Sequence, residues 1–158
     1  MVKQYLKMLD QSLDQKKQML DQMIEMTATQ KASLDKDPVD WTGFDALVEK
    51  KAEMIERLDR MDDGFESVYD RIREELLREK EQYKEFVTEI KKKIQAVSDA
   101  SATLMAAERR NKELVEVKMA DEKKKLQQRK TTSKVASNYY RTMNKVNLID
   151  PQLMDKKN

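Results

Sequence analysis

The sequence predicts an all-α protein: an elongated, antiparallel three-helix bundle, a coiled-coil-like hairpin with a third helix, followed by a C-terminal segment. Three observations lead there. Hydrophobic and charged residues each make up 39% of the chain, with only 2 Gly and 2 Pro in 158 residues, a balance typical of long helices. Apolar residues recur at alternating steps of three and four, the seam of a helix packed in a coiled-coil-like bundle. One clear break, around Pro38, interrupts that pattern.

The first helix is expected from about Lys3 to about Asp35. Its seam is Leu6, Leu9, Leu13, Lys16, Leu20, Met23, Thr27, Gln30 and Leu34. Lys16, Thr27 and Gln30 cost stability there but help to set register. Met19 and Met26 flank the stripe and widen it.

Asp35 to Asp40 ends this helix. Pro38 lacks an amide donor and pushes Asp37 out of helical angles. Asp40 suits the N-cap of the next helix, and Trp41 is placed to anchor the turn against the bundle. The aspartates do not form a calcium loop. Such a loop needs an acid or Asn, a Gly and a Glu where the chain has Val39, Asp40 and Ala46.

The second helix places Phe44, Val48, Lys51, Ile55, Leu58, Asp62, Phe65, Tyr69, Ile72 and Leu76 on its seam. The heptad runs through Gly64 without a slip, and a helical glycine costs only ~1 kcal/mol. The register slips instead between Leu76 and Val87, across the wholly polar Arg78 to Gln82. A break near Leu77 to Gln82 gives helices of comparable length. A break at Gly64 leaves one long helix with too little to cover it. The first is therefore expected.

The third helix carries Tyr83, Val87, Ile90, Ile94, Val97, Ser101 and Leu104, then Glu108, Asn111, Val115, Lys118, Glu122 and Leu126. The polar replacements after Leu104 predict a second half that is only loosely held. Lys123, Lys124, Lys125, Arg129 and Lys130 suit a helix C-terminus. Domain limits of 1–130 for the bundle and 131–158 for a mobile or helical C-terminal segment follow.

Several function classes are poorly served. With no Cys and no His, thiol nucleophiles, imidazole bases and the usual zinc sites are absent, and no cofactor is expected. No glycine-rich loop can cradle a phosphate, so an enzyme is not expected. Up to Glu122 there are 22 basic and 28 acidic residues, against 10 and 2 from Lys123 onward. The basic segment suits an acidic partner, a nucleic acid or a membrane surface. It lacks interleaved aromatics, and Leu126 alone forms its apolar face, so neither nucleic-acid binding nor stable membrane insertion is expected. No signal-peptide core or run of ~20 apolar residues occurs, which makes a cytoplasmic location the expectation.

The tail is the informative segment. It carries Tyr139, Tyr140, Met143, Val146, Leu148, Ile149, Leu153 and Met154. A tail without a role is poorer in such residues. It either folds back onto its own bundle or orders on the groove of a client. The 11 Met serve either as core filling or as an adaptable partner surface, with Met8, Met19, Met26, Met105 and Met119 lying off the seams. Around Glu108 and Asn111 the alternatives are a buried polar contact, a solvated face or a partner contact.

Several pieces occur together in order: Leu6, Leu9, Leu13 and Leu20; Asp40-x-x-x-Phe44-x-x-Leu47; Leu58-Asp59-x-x-Asp62-x-Gly64-Phe65-x-x-x-Tyr69; Glu108-x-x-Asn111; Tyr139-Tyr140-x-x-Met143; and Leu153-Met154-Asp155-Lys156-Lys157. In this order the chain resembles the FlgN-type flagellar export chaperones. The resemblance implies a small cytosolic helical protein that keeps hook-associated (hook–filament junction) proteins from assembling early and delivers them to the flagellar type III export gate. It implies a client-binding region from about Glu108 to Met154, comprising Glu108, Asn111, Val115 and Met119 with the eight tail residues named above. It also makes Tyr139 or Tyr140 the candidate for docking at the export gate. A monomer that forms a 1:1 complex with its client is the expected state. The alternative from another class is a self-associating coiled-coil scaffold. Relatives show an evident loop just before the place of Tyr83, where this chain has Arg78 to Gln82 without obvious loop residues.

Overall fold

The structure is a computed structural model that describes residues 1–125 together with Ser137, Asn138 and Arg141. Three helices make up the described bundle: α1 (Val2–Leu34), α2 (Trp41–Arg78) and α3 (Lys84–Lys125). At 1.5 Å per residue they are about 50, 57 and 63 Å long. Among the described residues no helix is long and apolar enough to cross a membrane.

Helix α1 ends where the Asp35 amide bonds the Lys31 carbonyl at 2.9 Å. The Asp37–Pro38 peptide bond is cis, and the Asp40 amide reaches back to the Ser33 carbonyl at 3.1 Å. Asp40 caps α2 as its sequence position predicts, accepting from the Gly43 amide at 3.0 Å. The capping carboxylate lies so close that a Cβ on Gly43 would sit 2.4 Å from Asp40 Oδ2. A side chain at position 43 would have to displace that carboxylate. Helix α2 passes straight through Gly64 and stops at Arg78, where the Glu79 amide bonds the Glu75 carbonyl at 3.0 Å. The five polar residues without Gly or Pro therefore do end the helix, and Val87 bonds the Tyr83 carbonyl as α3 begins.

Helix α1 lies between the other two and makes most of the backbone approaches to both. Its neighbours run in opposite senses. Lys16 pairs with Asp62, and Gln30 donates to the Phe44 carbonyl at 3.0 Å, so α1 and α2 are antiparallel. Lys93 bonds Asp10, and Asn111 donates to the Thr27 carbonyl at 2.9 Å, so α1 and α3 are parallel. All nine predicted seam residues of α1 are buried. On α2 and α3 the seam residues Tyr69, Leu76 and Val87 are half-buried and pack on the same core. A second, smaller core of Leu34, Trp41, Phe44, Val48 and Val115 closes the end beside the α1–α2 turn.

The prediction of a loosely held second half for α3 is corrected. Glu108 and Val115 are completely buried and Asn111 is 3% exposed. Glu108, Asn111 and Glu122 fail to mark a loose helix because each meets a polar partner from another helix at the same depth. The off-seam methionines also divide. Met19 is buried, Met105 and Met119 pack partly on the cores, and Met8 is half exposed.

Candidate functional site

The chemistry of the described residues is concentrated inside the bundle. At its middle, Lys51 of α2 forms an ion pair with Glu108 of α3, both fully excluded from solvent. The Lys51 ammonium also donates to the Thr27 hydroxyl of α1 at 3.1 Å. That hydroxyl lies 3.0 Å from Glu108 Oε1 and 2.8 Å from the Met23 carbonyl, with one proton to give to either. Asn111, one turn further along α3, binds the Thr27 carbonyl. One position on each of three helices thus converges on a single polar node. Burial pushes Lys51 below the usual lysine range, against the Glu108 charge and hydrogen bond that hold it up.

About three turns away along α1, Lys16 pairs with Asp62 of α2. Its ammonium also stands 4.9 Å from the centroid of the Phe65 ring, a favourable placement for a cation. Burial raises the Asp62 carboxyl above the usual range, while the Lys16 hydrogen bond and charge pull the other way. Ion pairs of this kind are weak evidence for stability, since dehydrating both charges offsets their attraction. Their best-attested use is to specify register. Here each node joins an α1 residue to an α2 residue at a similar distance from the α1–α2 turn, so a one-heptad slip would leave charges unpaired.

At the turn end, Trp41 Nε1 donates to Glu122 Oε2 at 2.7 Å. The Trp41 ring meets Phe44 edge to face, with centroids 5.9 Å apart. This contact ties α3 to α2 near the last described turn, which carries Lys123, Lys124 and Lys125.

These positions decide how the sequence-derived client residues are placed. Glu108, Asn111 and Val115 face their own bundle and are spent on it; a client could reach them only by opening the bundle. Met119 is half-buried against the Leu34–Trp41 core. Tyr139, Tyr140, Met143, Val146, Leu148, Ile149, Leu153 and Met154 lie outside the described residues, as does the boundary placed at residue 130. Sequence reasoning named Lys16, Lys51 and Asp62 as seam members but did not pair them. The signal was available: opposite charges stand on facing seams at similar distances from a turn.

No protein-family model matches the chain, and no curated protein or solved structure does.

Proposed function

We propose that the protein is a non-enzymatic chaperone of flagellar type III export, acting in the cytoplasm in the manner of the FlgN-type proteins it resembles. It binds hook-associated proteins, prevents their premature assembly and hands them to the export gate. The observation that carries this reading is the tail: eight large apolar residues between Tyr139 and Met154, following a bundle whose seams pack on one another. Glu108, Asn111 and Val115 are withdrawn from the client surface because the bundle consumes them, leaving the tail to supply the contact. Each apolar side chain buried against a client is worth ~1.5–3 kcal/mol before ordering costs. A handful therefore supports a tight but reversible complex.

The mechanism is steric and hydrophobic capping. The tail covers the polymerisation helices of the client, the bundle keeps the pair soluble, and Tyr139 or Tyr140 contacts the gate. The alternative, a scaffold that self-associates through its heptads, is opposed by the interior ion pairs. They fix one internal register and use up the seams that such pairing would need.

Co-expression with candidate hook-associated proteins tests the proposal. The full chain is expected to hold one client in a 1:1 complex, and a version ending at Lys130 to lose it. Equal retention by the truncated chain, or sedimentation of the full chain alone as an open-ended oligomer, defeats it.

A further inference from the structure

Every pair of neighbouring helices in a bundle has an outer flank, the row of positions just beside the seam. Such rows usually carry charges that pair across the interface. The flank between α1 and α3 does so. Between α1 and α3, Lys93 bonds Asp10 and Asp14, each at 2.9 Å. Between α2 and α3, the heptad rows hold charges of both signs, Asp45 and Glu66 on α2 and Lys91 and Lys112 on α3.

The flank between α1 and α2 is different. The Lys93 bonds put α3 on the Asp10 side of α1, so the row on the α2 side is Tyr5, Ser12, Met19 and Met26. In the antiparallel pair the matching row of α2 is Leu47, Met54, Met61 and Val68, the last three packed on the same core as Tyr5 and Met19. Neither row holds a charge before Glu75. Tyr5, Met54, Met61 and Val68 are half-buried against the main core, and Met8 stands half exposed at the margin. The result is an uncharged strip along the outside of the bundle, rich in methionine, a side chain that repacks readily against different surfaces.

Its borders are unequal. The next row out on α2 is Lys50, Arg57, Gly64, Arg71 and Arg78, all exposed. The row behind it adds Glu53, Arg60 and Glu74, leaving this border net basic. On the α1 side the border is Met8, Gln15, Gln22 and Thr29, without charge. Gly64 sits at the middle of the basic row. The bundle does not require a glycine there: its φ is not positive, and nothing lies within 4 Å of where a Cβ would be. Glycine does allow a second backbone to approach closely.

We infer that the α1–α2 flank is a docking surface for an amphipathic helix of another protein, its apolar stripe laid over Met26, Met54 and Met61 and an acidic edge set against Arg57 and Arg71, with closest approach at Gly64. Helix-in-groove recognition needs such an apolar stripe, and the one-sided basic border sets the polarity of the partner. The chain's own tail does not fit, because from Lys123 onward it has 10 basic and 2 acidic residues. A second copy laying down the same face brings a basic row rather than an acidic edge. The surface lies on α1 and α2 and does not depend on the role proposed for the tail.

The test is a titration of the full chain, with methyl-labelled methionine, against a synthetic amphipathic peptide about three heptads long with glutamates along one edge. A peptide with lysines on that edge is the control. The glutamate peptide is expected to shift the methyl signals of Met26, Met54 and Met61, leave Met105 and Met119 unmoved, and bind about tenfold tighter or more than the lysine peptide. Gly64→Trp is expected to fold normally and weaken binding about tenfold, as is the pair Arg57→Glu and Arg71→Glu. The charge-reversal pair, on exposed side chains, decides the matter if Gly64→Trp does not fold. A chain ending at Lys130 is expected to bind as the full chain does. Equal binding of the two peptides, shifts confined to Met105 and Met119, or binding indifferent to the charge reversal overturns the inference. So do methyl shifts that follow protein concentration without peptide, which assign the strip to a second copy. Shifts produced by truncation alone assign it to the tail and equally overturn the inference.

Discussion

Lys51→Met removes one half of an ion pair whose two members are both fully buried. The Glu108 carboxylate is left to the Thr27 hydroxyl, which already has the Met23 carbonyl as a competing acceptor. Breaking a buried pair from one side costs about 3–5 kcal/mol, because the surviving charge stays desolvated. Against the ~5–15 kcal/mol total of an ordinary domain this is a large fraction. Glu108→Met is expected to cost a similar amount by stranding the ammonium. Replacing both with methionine removes both dehydration penalties and is expected to be neutral or to stabilise by about 1–4 kcal/mol. Urea unfolding, followed by far-UV ellipticity and by the fluorescence of the only tryptophan, Trp41, measures all four proteins. Additivity of the two single changes within ~0.5 kcal/mol would refute the reasoning. So would a cost below ~1 kcal/mol for either one.

The two glycines are expected to respond oppositely. Gly64→Ala stabilises by about 0.5–1 kcal/mol, because the helix interior is open there. Gly43→Ala drives its Cβ into the Asp40 carboxylate and costs about 0.5–2 kcal/mol, the worth of a cap; thermal melts of both variants check this. Asp62, raised above its unfolded value, lets the folded state hold an extra proton, so its contribution to stability falls as pH rises through the interval between the two values. Asp62→Asn is expected to remove that slope from a plot of urea midpoint against pH. For Lys51 the sign reverses. Its lowered value means the unfolded chain binds more protons just below the usual lysine range, so stability rises with pH there, and Lys51→Met is expected to lose that rise. Trp41→Phe deletes the bond to Glu122 and is expected to cost about 1–3 kcal/mol. Hydrogen exchange of the last turns of α3 should then quicken while that of the α1 core does not.

The seams of the three helices could be read directly, because a residue buried in a packed helix must recur at three- and four-residue steps whatever it packs against. Leu6 to Leu34 illustrates this, with every predicted position buried. The break after Arg78 was legible for a related reason: the register slipped there, whereas Gly64 left it intact. Glu108 and Asn111 misled because a polar residue on a seam has two opposite meanings. Without a partner it marks a solvated helix; with one it marks a tightly specified contact. The partner of Glu108 stands 57 positions away on another helix, and periodicity carries no information about what lies across the interface.

Composition and heptad spacing by themselves determined that this chain is helical, where α1 and α2 start and stop, and which face of each helix turns inward. Those properties depend on neighbours three and four residues apart, which the sequence states outright. The tertiary structure alone decided that Lys16 meets Asp62, that Lys51, Thr27 and Glu108 share one node, and that one flank of the bundle lacks the charges its two counterparts carry. Those properties arise from the mutual depth, direction and handedness of separate helices. Electrostatic and hydrogen-bond energies act over a few ångströms of space and are indifferent to distance along the chain.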